Sequence, residues 1–193
     1  MNTIVKETQT SRDFEQLRTG GPVGRRAESL ADRIEVGAAG LAAFAEGLSE
    51  AEWCAPVPES GKDGRSVGVI AHHVASLYPI ETDLARTVAS GKAVADVTWE
   101  VVAELNAKHA QEQVGVTKAA ALELLRRSNR EAAAAVRAFT DDELDRVAPF
   151  SLSYGAPVTA QFVLRTTHCG TAGTTWRASA RPWAGDLRSP AAV

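Results

Sequence analysis

The chain has 193 residues, of which 45% are hydrophobic and 23% charged, with a formal net charge of -3. That balance describes one ordinary globular domain and excludes both a disordered chain and the basic surface that nucleic-acid binding requires. No apolar run approaches the roughly 20 residues needed to cross a bilayer, so neither nucleic acid nor membrane is an expected partner. Cys54 and Cys169 are too few for a disulfide framework, and no leader precedes a small-residue cleavage site. The expectation is a reduced, cytoplasmic protein.

Residues 1 to 24 are polar, lack a sustained period and end in Gly20, Gly21, Pro22 and Gly24, which predicts a flexible N-terminal arm, with room for a short helix around Phe14 and Leu17. From Arg25 onward Leu30, Ile34, Leu41, Phe44 and Leu48 recur at helical steps. Ser49 with Glu52 three residues on predicts a capping box for a brief turn carrying Trp53, and Pro56 and Pro58 open a loop that continues through Gly64. Ser66 caps a second long helix with a predicted core stripe of Ile70, His73, Leu77, Ile80 and Leu84, kinked by Pro79 and ended by Gly91. A third helix begins near Thr98, carries Val102, Leu105 and His109 on one face, and stops near Gly115. Thr117 caps a long helix through Leu122, Leu125, Ala132, Val136 and Phe139, and Thr140 caps an acidic turn from Asp141 to Leu144. Along that long helix Arg126, Arg127 and Arg130 interleave with Glu123 and Glu131, the pattern of a solvated face. A loop with Pro149, Gly155 and Pro157 precedes a last helix from about Val158 to Ala180, and residues 184 to 193 read as a flexible C-terminal tail. The prediction is all-α: residues 25–183 form a four-helix bundle with an additional short helix, and a site would lie between facing helices.

Only four histidines are present, His72, His73, His109 and His168. His73 shares a face with Ile70 and Leu77, whereas adjacent His72 is rotated about 100° away and is expected to point elsewhere. His109 follows Leu105 by four residues and His168 follows Leu164 by four, so three helices each offer one imidazole to the interior. Imidazole is the commonest metal ligand and titrates near neutrality, so such a set suits either metal binding or proton transfer, while each ring taken singly also reads as a core residue. The last helix adds Thr171, Thr175 and Trp176, which suit a polar-lined pocket; the alternative is that its threonines bond back to the helix while Gly170 and Gly173 allow close packing. Cys169, about 100° from His168, reads as a buried small residue. Tyr78, Trp99 and Tyr154 offer pocket walls or core packing, and Glu81, two turns from His73, either orients an imidazole or lies on the surface.

Three segments, DGRSVGVIAHHVASLYPIE at 63–81, LNAKHAQEQ at 105–113 and TDDELDRVAPF at 140–150, give the stretch from about Ala27 to Pro182 a resemblance to the DinB-like superfamily. The likeness is greatest to its actinobacterial members related to mycothiol-dependent maleylpyruvate isomerase and thiol S-transferases. The resemblance implies a DinB-like four-helix bundle whose divalent metal, zinc or nickel, is held by one histidine of the second helix and two of the last, with a low-molecular-weight thiol such as mycothiol as co-substrate. His73 and His168 match two of those ligands. The position of the third holds Ala172, which makes the metal triad degenerate. Three functions follow as expectations. The first is a small-molecule enzyme of specialised metabolism in which His73, His109 or His168 are the catalytic acid and base and Tyr78, Trp99, Thr171, Thr175 and Trp176 hold substrate. The second is a metal-dependent thiol S-transferase or isomerase, and the third a non-catalytic binding or stress-response protein. A homodimer is compatible with a bundle of this size.

Overall fold

The computed structural model describes residues 24–57 and 65–166. Helix α1 spans Arg25–Gly47, short α2 Glu50–Cys54, α3 Val67–Ala89, α4 Trp99–Glu112, α5 Lys118–Arg137 and short α6 Asp141–Asp145. A hairpin of β1 (Val147–Pro149) and β2 (Pro157–Thr159) leads into α7, described over Ala160–Thr166. The all-α bundle with additional short helices is therefore present, and none of these helices is long and apolar enough to cross a membrane.

The helix starts follow local chemistry. Ser66, Thr98 and Thr117 each accept a backbone N–H with their side-chain oxygen, at Val69, Val101 and Ala120 respectively. Ser49 with Glu52 and Thr140 with Glu143 form complete capping boxes, satisfying two orphan donors apiece. Gly91 (φ 77°) and Gly115 (φ 95°) take the left-handed backbone that turns the chain after α3 and α4, a conformation that costs glycine no Cβ clash.

Helix α5 is the spine, packed against both α1 and α3. The facing surfaces are rich in buried alanine, among them Ala31 and Ala38 of α1, Ala75 and Ala85 of α3, and Ala132 and Ala133 of α5, which lets the backbones approach closely. This corrects the core stripe predicted for α3. Its buried face is Val67, Ala71, Val74, Ala75, Tyr78, Thr82, Ala85 and Val88, while Ile80 is 52% exposed and Ile70, His73, Leu77 and Leu84 lie at the flanks. Alanine is too small to stand out in a hydrophobic pattern, so the larger residues beside the true face suggested a phase about one residue off.

Helix α3 carries through Pro79, whose missing N–H leaves the Ala75 carbonyl without its intrahelical donor. The Ser128 hydroxyl, buried on α5, donates to that carbonyl at 2.7 Å. It also approaches the Leu124 carbonyl of its own helix at 2.8 Å, so one proton is shared between an inter-helix and an intra-helix acceptor. The cost of a helical proline is thus met by a polar bond between two closely packed helices.

The segment expected as loop between α6 and the last helix instead forms an antiparallel pair, Val147 with Thr159 through Pro149 with Pro157. Tyr154 (φ 55°) and Gly155 (φ 78°) turn its tip. A parallel bridge between Val94 and Phe150 ties this hairpin to the α3–α4 connection, and Ser151 Oγ donates to the Val97 carbonyl. The last helix accordingly starts at Ala160 and not Val158, because Thr159 remains extended and accepts the Phe162 N–H at 3.0 Å. The predicted N-terminal arm, the remainder of the last helix and the tail lie outside the described residues, apart from Gly24 at the end of that arm.

Candidate functional site

Trp53 anchors the end of the bundle where α1 finishes and α3 and α5 begin. Its ring is 2% exposed in a cluster with Ala45, Leu48, Val67, Ala71 and Leu122. Gly68 makes room for it: a Cβ at that position would stand 2.5 Å from Trp53 Cε2. The indole N–H donates to the Val116 carbonyl at 2.8 Å and so fixes the connection that follows α4. Through that connection the last turn of α4, with His109, is held beside the first half of α3.

There three imidazoles meet. His72 Nδ1 and His109 Nε2 are 2.9 Å apart, a hydrogen-bond distance at which one ring donates and the other accepts. The two rings meet end to end, with centroids 5.1 Å apart and an interplanar angle of 27°. His73 approaches His109 edge-on, centroids 5.0 Å apart. Convergence of His73 and His109 agrees with their phase. His72 does not: expected to point away, it makes the closest contact of the three. The helical phase relative to His73 was sound, but α4 lies over the flank of α3 that carries both rings, and no pattern within α3 announces where α4 will lie. The adjacent pair of histidines, opposite a single imidazole on the next helix, is the signal that was available.

Burial lowers the pKa of all three rings. His73 is pushed to about 4, first by burial and then by His109, Arg65 and His72. His72 is lowered by burial. His109 is lowered by burial and then by His72, with Glu112 opposing and Arg65 adding to the effect. The cluster is therefore neutral at physiological pH, each ring carrying one N–H and one lone pair, with His72 Nδ1 and His109 Nε2 already engaged with each other.

The remaining predicted site residues are distributed unevenly. Tyr78 is 2% exposed within the main core, whereas Trp99 is 52% and Tyr154 92% exposed among the described residues. Glu81, for which the surface was one expectation, is buried at 7% exposure. Leu105, expected on the inward face of α4 with His109, is 57% exposed. His168, Cys169, Thr171, Ala172, Thr175 and Trp176 lie outside the described residues. Arg126 is exposed, as its solvated-face pattern predicts, and pairs with Glu46 across to α1.

The metal site implied by the DinB resemblance needs three donors, and the chain does not fit it. Its third position is the methyl group of Ala172, and the one described ligand, His73, turns its ring edge to another imidazole. Among the described residues no group of three or more His, Cys, Asp or Glu side chains is placed to hold a metal ion.

At the opposite end of α3, a cleft of about 380 Å³ lies among Arg86, Ser90, Phe139, Glu143 and Arg146. It is separated from His73 by about 24 Å of helix. The cleft lies at the C-terminal ends of α3 and α5, where helix dipoles disfavour an anion, with Glu143 contributed by α6 and Arg146 just after it.

No curated protein and no solved structure matches the chain. A family model described as the DinB superfamily matches residues 33–168, a span that includes α3, α4, α5 and all four histidines. On that match, and with the bundle it predicts in place, the chain belongs to the DinB superfamily.

Proposed function

We propose that the chain is a small-molecule enzyme of the DinB fold that works by imidazole acid–base chemistry. The observation that supports this reading is the 2.9 Å contact between His72 Nδ1 and His109 Nε2. Two neutral imidazoles have four nitrogens and two N–H groups; their mutual hydrogen bond uses one N–H and one lone pair. Whichever way the bond runs, one outer nitrogen keeps a lone pair and the outer nitrogen of the other ring keeps a proton. The pair thus presents a base at one end and an acid at the other.

That arrangement suits proton exchange at a carbon acid. The open nitrogen takes a proton from a carbon beside a carbonyl, the bridging proton crosses to the partner ring, and the partner's outer N–H, at the far end of the pair, passes its proton to water. The pair ends neutral, with both tautomers inverted and no net proton gained. His73, packed edge-on against His109, fixes the orientation of that ring. His168 belongs to the same proposal through the family resemblance.

The test is hydrogen exchange. The purified chain is incubated in D2O with a panel of small 2-oxo and 3-oxo acids, and deuterium at carbon is read by mass spectrometry. Incorporation into at least one acid above the uncatalysed rate, reduced at least ~100-fold in His109→Ala and in His72→Ala, is the expected result. Absence of exchange across the panel, or equal exchange in the variants, removes the reading.

A further inference from the structure

The cleft at the ends of α3 and α5 is about 24 Å of helix away from the imidazoles, and none of the histidine chemistry uses it. Its volume of about 380 Å³ falls within the roughly 300–1,000 Å³ typical of small-ligand sites. We propose that it binds a free α-amino acid with an apolar side chain, the carboxylate on Arg146 and the ammonium beside Glu143 and the C-terminal end of α5.

The charges decide the class of ligand. Arg86 and Arg146 bring two guanidiniums and Glu143 one carboxylate, while each helix end adds the equivalent of roughly half a negative charge. The cleft is thus close to neutral as a whole and strongly dipolar within. A simple anion meets Glu143 and the two helix ends, a simple cation meets the two arginines, and a molecule carrying both charges on one carbon satisfies both. Arg86 is already paired with Asp83 of its own helix at 3.1 Å. The Arg146 guanidinium makes no hydrogen bond or ion pair among the described residues, and its stem lies across the end of α3, where a Cβ on Gly91 would stand 3.6 Å from Arg146 Cδ. Glu143 Oε2 accepts the Thr140 N–H and hydroxyl, which leaves Oε1 for a ligand. Glu143 and Arg146, three residues apart across the end of α6, rise on one face and so present opposite charges side by side. Ala89, Ala135 and Ala138 are too small to fill the space between the helix ends, and with Phe139 they give an apolar lining for a side chain.

The experiment is titration of the full-length chain with L-valine, L-leucine and L-phenylalanine, each beside its deaminated and its decarboxylated analogue (isocaproate and isoamylamine in the case of leucine). Affinity is read by calorimetry and location by amide chemical shifts. At least one amino acid should bind, one per chain, and both of its analogues should bind at least ~10-fold more weakly. In the unmutated chain the largest shifts should fall at Ser90, Phe139 and Arg146, a readout that needs no variant. Arg146→Gln and Glu143→Gln should each weaken the amino acid about tenfold, and glutamine at 143 can still serve the capping box with Thr140. His72→Ala should leave binding within about twofold, since the two places are far apart. Absence of saturable binding below about 10 mM across the three amino acids overturns the proposal. Equal binding of the deaminated analogue overturns it too, as do shifts centred away from the cleft or affinity unchanged in both Arg146→Gln and Glu143→Gln. None of these results bears on deuterium exchange at the histidines, so this inference and the acid–base reading fail separately.

Discussion

The two ends of the bundle are held by different physics. Where α1 begins and α3 and α5 finish, Arg137 reaches from α5 to Glu28, Asp32 and Glu35 of α1 at 2.8–2.9 Å. Nearby, Arg26 grips Asp145 through both guanidinium nitrogens, at 2.7 and 2.8 Å. These charges stay near water, beside the main apolar core, and Arg137 and Arg26 draw the carboxyls of Glu35 and Asp145 below their usual range. At the other end a smaller apolar cluster around Trp53 supports three imidazoles, neutral and partly withdrawn from solvent. The first end uses polar groups to bind helices together; the second spends apolar packing to present polar groups. The shared-arginine networks of Arg137 and Arg26 lie at the end away from the imidazoles, whose own end carries the separate pairs Lys108–Glu112, Lys118–Glu50 and Arg126–Glu46.

The largest break in that comparison should come from Gly68→Ala. Helix propensity alone would reward the change by up to about 1 kcal/mol. A methyl 2.5 Å from the Trp53 ring should instead cost about 2 kcal/mol in chemical denaturation, because the indole is enclosed and bonded to Val116. A stabilised variant would show that the Trp53 seat does not support the histidine end.

Acid should separate the two ends in sequence. His73 has a folded-state pKa depressed to about 4, against about 6.5 when unfolded. Its contribution is fully present above pH 6.5 and is lost as pH falls from 6.5 towards 4, by about 2 kcal/mol after allowance for the water its ring still meets. Glu35 and Asp145, with depressed carboxyl pKa values, contribute above their unfolded pKa and lose that contribution only at lower pH. Denaturation between pH 7 and pH 3 should therefore show a first loss, to which His72 and His109 also contribute and which shrinks in His73→Phe, and a second that persists. A single loss confined below pH 4 would contradict the order.

The smallest effect concerns the spine common to both ends. Ser128→Ala should cost about 1–2 kcal/mol by leaving the Ala75 carbonyl without a donor. In a Pro79→Ala background, where the backbone N–H returns, the same substitution should cost less than half as much. Equal costs in the two backgrounds would mean that Ser128 acts on its own helix and not on the proline's carbonyl.

Much of the fold was legible in the sequence because its signals are local. Ser49 with Glu52, Ser66, Thr98, Thr117 and Thr140 state where helices start, and Gly91 and Gly115 where two of them turn, since each acts on backbone groups within a few residues. The hairpin at 147–159 was not legible: its strands are three residues long and are held by pairing with each other and by the bridge to Val94. His73 and His109 could be named from phase, as could the exposed arginines. What only the tertiary structure decided was which neighbour each face meets. Alanine-lined surfaces set the approach of α1, α3 and α5, and that approach turned Glu81 inward and left Ile80 outside. The placement of α4, fixed through Trp53 and Val116, put His109 against His72 instead of leaving His72 in solvent. A residue's phase is a property of its own helix, but its partner is a property of two helices, and the distance between them is set by packing.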